Sequence, residues 1–273
     1  MRQRFILLAL LALVATVASA QTLYVPASAN AEGANQTRWR SDLQVKARGS
    51  DGATFTVEVL EHGTDNSDPL MVELTVAAGE SLRLSNLLET EFGFTGTAAL
   101  RLTATAGQIV VTSRTFNDDP SGTYGQTVPA VPVEQATVFG DQVSLIQLSR
   151  SADTAVGFRT NIAVVNTTGE TITAEIDLYH ADGTYVGTVT VDLQPYDYQQ
   201  VNDVFAHAGA LDVADGYAVV RTTTEGGAFI AYASVVDNRS GDAVLLLAQP
   251  DEVEVAPEPQ DRLVVFEIFM RPG

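Results

Sequence analysis

The chain has 273 residues, with 34 acidic against 15 basic side chains, a formal charge of −19 and no cysteine. That balance argues against a nucleic-acid or anionic-membrane partner, whose phosphates would be repelled, and it leaves no disulfide framework. The length suits two domains, each large enough to rest on buried apolar area.

Residues 1–20 read as a signal peptide. Arg2 and Arg4 precede an apolar run over 5–17 broken only by Thr16, and Ala18-Ser19-Ala20 offers a small-residue cleavage site before Gln21. The run is shorter than the about 20 residues of a membrane span, with an uncleaved anchor as the alternative. No other segment is long and apolar enough to cross a bilayer. The mature chain is therefore expected to be exported and soluble: extracellular, at the cell surface or in the periplasm. Losing the two arginines takes the charge from −19 to −21.

Next comes a long-period self-similarity. Residues 39–45 (WRSDLQV) match 158–164 (FRTNIAV), and 54–59 (TFTVEV) match 171–176 (TITAEI). In the same order 72–76 match 189–193, 84–88 match 201–205, and 108–113 match 228–233. Order, spacing and residue class persist, so a duplication is expected, with a module at 21–133, a linker at 134–142 and a second module at 143–250.

Within each copy the apolar period is two. Trp39, Ser41, Leu43 and Val45 share a face, as do Phe158, Thr160, Ile162 and Val164, with Arg40, Asp42, Arg159 and Asn161 on the other. Such alternation predicts antiparallel strands with one wet face. Arg40 with Asp42, and Arg159 with Asn161, are expected to pair and fix strand register; Trp39 is expected in the core. Asn86 and Glu89 suggest a capping box, matched at Asp203, so each copy should carry one short helical turn. Residues 251–273 combine an acidic, proline-bearing spacer with a strand-like run at 263–269. That run is expected to pair with the second module, strand-exchange self-assembly being the alternative.

Chemistry-bearing motifs are sparse. His62, His180 and His207 have no zinc spacing, and neither H-E-x-x-H nor G-x-S-x-G occurs. No enzyme activity and no cofactor are expected. Calcium is the one metal the composition suggests: Asn117, Asp118 and Asp119, mirrored by Asp237, Asn238 and Asp242, cluster oxygen ligands, although the same residues are common in turns. Tyr185, Tyr196 and Tyr198, concentrated in the second copy, are candidates for an aromatic platform that stacks on carbohydrate.

The aromatic-Arg-Ser/Thr-Asp/Asn-Leu/Ile strand, together with 113–117 (SRTFN) and 122–126 (GTYGQ), resembles repeat modules of poorly characterised bacterial secreted proteins. The resemblance spans about 22–133 and 143–250. The second copy departs from it at 234–237 (SVVD), which lacks the arginine, and at 241–243. It implies all-β architecture, two tandem antiparallel β-sandwiches of immunoglobulin or fibronectin-III type. It also implies an extracellular accessory role toward a protein, cell-surface or glycan partner, and brings no ligand residues. The expected function is a structural or interaction protein, the alternative a carbohydrate-binding accessory protein stabilised by calcium.

Overall fold

The computed structural model describes residues 20–33 and 37–251. The expected signal peptide, apart from Ala20, and the expected C-terminal strand lie outside these residues.

The N-terminal half contains β1 (Gln21–Glu32), β2 (Arg38–Ala47), β3 (Ala53–Glu61), β4 (Leu70–Val76), β5 (Ser81–Leu84), α1 (Leu87–Thr90), β6 (Gly96–Ala106), β7 (Ile109–Asp119), β8 (Gly122–Pro129) and β9 (Val131–Pro132). One layer runs β4-β3-β6-β1 with β9 added to β1. The other places β2 between β5 and β7, with β8 beyond β7; a short β1–β2 pairing joins the layers at Ala31↔Trp39.

The C-terminal half contains β10 (Thr137–Val138), β11 (Gln142–Arg150), β12 (Phe158–Asn166), β13 (Ile172–His180), β14 (Tyr185–Leu193), β15 (Tyr198–Val201), α2 (Val204–His207), β16 (Val213–Thr222), β17 (Ala228–Asp237), β18 (Ala243–Leu247) and β19 (Gln249–Pro250). Its sheets run β14-β13-β16-β11-β19 and β10-β17-β12-β15, with β18 also on β17. Every named strand pair is antiparallel. The fold is all-β and sandwich-like with one short helix per half, as the period-two pattern predicts.

Local devices correspond between the halves. The first long strand of each is bulged, between Val25 and Ser28 in β1 and between Leu145 and Leu148 in β11. Asn86 (φ 48°, ψ 50°) and Asp203 (φ 49°, ψ 55°) both sit in the left-handed region just before the short helix. Each gives its backbone N–H to a side-chain oxygen 3.0 Å away, Asp42 Oδ1 for Asn86 and Asn161 Oδ1 for Asp203.

Four expectations change. Trp39 is only half-buried and Phe158 is 45% exposed, because both sit at the outer end of their strands, past the buried residues that follow on the same face. The capping box is not formed: left-handed Asn86 makes no side-chain cap, its Nδ2 instead donating to Glu89 Oε2 at 2.5 Å. Arg40 does not pair with Asp42. It bridges Glu89 and Asp118, each at 3.3 Å, while Asp42 pairs with Arg83 at 2.7 Å and Arg159 donates to Asn238 Oδ1 at 3.0 Å. The partners come from other elements: Asp118 and Arg83 lie diagonally on neighbouring strands, Glu89 on α1 and Asn238 in the turn after β17. Finally, the stretch expected as linker contributes β10, which pairs with β17 through Thr137↔Phe229.

Candidate functional site

The sheet containing β12 and β17 is buried on both faces. Ile162 and Val164 of β12, with Phe229, Ala231 and Ala233 of β17, point into the core of the C-terminal half. Alternate residues Ala163, Val165, Ile230 and Tyr232 join one continuous core with Tyr24, Leu100 and Val131 of the N-terminal half. Polar contacts reinforce this junction. Asp197, 0% exposed, accepts from Gly63 N–H at 2.7 Å, and Asn66 Nδ2 donates to Tyr196 O at 3.2 Å. The Arg101 guanidinium lies 4.3 Å from the Tyr196 ring centroid while gripping Glu58 through two hydrogen bonds.

Where the β1 bulge pulls away from the opposing sheet, a cavity of about 440 Å³ opens between the halves. Ala27, Ala29, Ala31 and the Trp39 indole form its apolar wall; Arg159, Asn161, Tyr198, Gln200, Tyr232 and Ser234 face them from the C-terminal half. Its base is a closed network: the Tyr198 and Tyr232 hydroxyls lie 3.0 Å apart and both donate to Gln200 Oε1, at 3.0 and 2.9 Å. Desolvation holds the Tyr198 phenol up at about 12 and lifts Tyr232 well above its ordinary value, so both are neutral donors. Across the junction Ser234 Oγ donates to Gln126 Oε1 at 3.0 Å.

The sequence candidates are distributed otherwise. Tyr198 reaches this cavity, Tyr196 packs under Arg101, and Tyr185 lies away from both on β14. The three do not form one platform, because residues 196 and 198 fall in the buried junction. Tyr185 instead joins its register mate Tyr179, which in turn is in register with Tyr217 on the next strand. The Tyr179–Tyr217 rings stack at 4.8 Å and 10°, and the Tyr179–Tyr185 rings meet edge-on at 5.6 Å. Tyr232, Gln200, Gln126 and Ser234 were missed. For Tyr232 and Ser234 the signal was loss of alternation over 228–236 (AFIAYASVV), the mark of a strand covered on both faces; Gln200 and Gln126 carry no such signal.

The calcium candidates serve the backbone. Asn117 Oδ1 accepts from Arg38 N–H at 2.8 Å, Asp118 pairs with Arg40, and Asp119 Oδ1 accepts from Ser121 N–H at 2.8 Å. Asp237 Oδ1 accepts from the N–H groups of Arg239 and Ser240, Asn238 Nδ2 donates to Val156 O, and Asp242 Oδ1 accepts from Ala243 N–H. Among the described residues no group of three or more His, Cys, Asp or Glu is placed to hold a metal ion. No helix among them is long and apolar enough to cross a membrane.

Acid titration should separate two kinds of carboxylate. Burial raises Asp197, so its folded pKa exceeds the unfolded one and ionisation costs folded stability. Its contribution is full below the unfolded pKa and is lost as pH rises through the folded value. Asp65, Asp119 and Asp237 are lowered by hydrogen bonds from Ser67, Ser121 and Ser240; they stabilise above the unfolded value, and that gain is lost as pH falls through the folded one. Carboxyl-carbon NMR should place the Asp197 midpoint above the ordinary 3.8 and the other three below it.

Comparison of the chain with protein-family models and with curated proteins finds no match.

Proposed function

We propose that the chain is an exported, non-catalytic interaction protein in which two copies of one β-sandwich module, at 21–133 and 143–250, dock as a single rigid binding body. The observation that carries this reading is the two-faced burial of the β12–β17 sheet, which ties the copies together and leaves a polar cavity at their junction. Duplication is supported by the paired bulges and by the paired left-handed residues before α1 and α2. The leader at 1–20 supports export, and the resemblance to secreted bacterial modules supports an extracellular, cell-surface or periplasmic place. Small-angle scattering of the mature chain should fit one compact particle; a population of independently moving halves refutes the rigid body. Turnover of a glycan or ester panel by the purified chain refutes the non-catalytic part.

Equivalent devices should respond equally. Asp42→Ala and Asn161→Ala each remove the acceptor for a backbone N–H at a left-handed corner. Each should cost about 1–2 kcal/mol in chemical denaturation; a neutral result at one site alone counts against equivalence.

A second reading, a carbohydrate-binding accessory protein, is favoured by the Tyr179–Tyr185–Tyr217 row. Tyr185 is 55% exposed, and the row crosses three adjacent strands of the sheet that packs on the β12–β17 sheet, at positions that alternate with its core-facing residues Leu178 and Ala218. Polysaccharide pull-down that is lost on Tyr185→Ala supports it, and retention in that variant, or no binding at all, counts against it.

A further inference from the structure

The hydrogen-bonding capacity around the junction cavity is one-sided. Four side-chain carboxamides line it, and each carbonyl oxygen is already taken. Asn161 Oδ1 accepts from Asp203 N–H, Gln200 Oε1 from the two tyrosines, Asn202 Oδ1 from Gln200 Nε2 at 2.8 Å, and Gln126 Oε1 from Ser234. The NH₂ groups of Asn161, Asn202 and Gln126 donate to none of the described residues. Gln126 is only 9% exposed, so its donors have little but the cavity to address.

The cation beside them makes no direct ion pair. Arg159 gives one hydrogen bond, to the neutral Asn238, and no carboxylate among the described residues lies within ion-pair distance of it. Its half-buried guanidinium is held below its ordinary pKa chiefly by desolvation and stays charged at any physiological pH. Glu32 at the rim is 79% exposed at its side chain and is engaged by Arg38 at 4.0 Å. Asp203 and Asp237 act on Arg159 from beyond ion-pair distance, and both are engaged elsewhere: Asp203 with Arg150 at 2.9 Å, Asp237 Oδ1 with the N–H groups of Arg239 and Ser240.

A surplus of N–H donors around a guanidinium with no direct ion pair asks for an anion with further acceptor oxygens. The alanine methyls and the Trp39 indole opposite ask for C–H surface. We infer that the junction cavity binds a small polyhydroxylated carboxylate of the uronic-acid class, its carboxylate on Arg159, its hydroxyls on the amides of Asn161, Asn202 and Gln126, and its ring face against Trp39. This rests on the proposed binding role but not on the tyrosine row, which faces elsewhere.

Trp39 is the only tryptophan of the chain, so its emission reports the cavity directly. Titrating the mature chain with galacturonate should give a saturable emission change and a rise in Tm, because a ligand of the native state stabilises by mass action. Galactose should bind about tenfold weaker or worse, the worth of a charge-assisted hydrogen bond. Arg159→Gln should lose a similar factor toward galacturonate, and Arg159→Lys, which keeps the charge but not the fork, should fall between. Three results overturn the inference: no saturable emission change and no Tm shift up to roughly 10 mM galacturonate, an equal response to galactose, or undiminished galacturonate binding in both Arg159 variants. Scattering that still fits one compact particle would then leave the rigid-body reading standing.

Discussion

Val165→Asp should cost about 4 kcal/mol or more and uncouple the two halves. Val165 is fully buried on the face of β12 that meets the N-terminal half, within the shared core. A carboxylate there would sit in an apolar cluster, and a buried charge is among the costliest single substitutions. The neighbouring Val164 faces the other way, into the core of the C-terminal half, and is untouched. The loss should therefore appear as a split of one unfolding transition into two, the C-terminal half retaining its strands by circular dichroism. Calorimetry decides: one transition with a small shift would mean that the junction contributes little.

Arg101→Ala should cost about 3 kcal/mol and act on both halves at once. The guanidinium fits between Glu58, at 2.5 and 3.1 Å, and the Tyr196 ring. Both partners of the ion pair are largely buried, with 15% and 14% of their side chains exposed, so removing Arg101 strands a carboxylate in a poor dielectric. Tyr24, whose phenol is raised by burial and partly relieved by Arg101, loses its neighbour as well. Glu58→Gln made together with Arg101→Met should recover much of the loss, since the stranded charge is the main cost. A double-mutant cycle by urea denaturation measures that coupling; no recovery would place the cost in packing on Tyr196 instead.

This pair has a β13–β16 counterpart. Arg221 pairs with Glu175 and Asp177 in corresponding register but with 37% of its side chain exposed. The arginine is wetter here than Arg101, but Asp177, with 11% of its side chain exposed, is as buried as Glu58.

Local patterning read well where one side of a strand meets water. Leu43 and Val45 were placed inward by alternation alone, and both are buried. The helical turns were legible from 84–88 and 201–205, although the left-handed start was not, because a backbone N–H satisfied by a strand forty residues away leaves no local signature. Trp39 was misread for a related reason: its residue type suits a core, but its place at a strand end puts it on a cavity wall.

The sequence by itself determined the all-β, antiparallel architecture, because the pleat converts a period of two directly into an inside and an outside. Only the tertiary structure decided which outer face would be dry. The run 162–165 (IAVV) differs from 43–46 (LQVK) by having no polar member, yet that difference says only that a cover exists. What covers it is set by shape and by contacts between residues more than sixty positions apart, such as Gly63 N–H on Asp197 and Ser234 on Gln126. The candidate site exists only through that packing: its tyrosines, amides and arginine look like ordinary strand residues until two curved surfaces meet imperfectly and leave their donors facing an enclosed space.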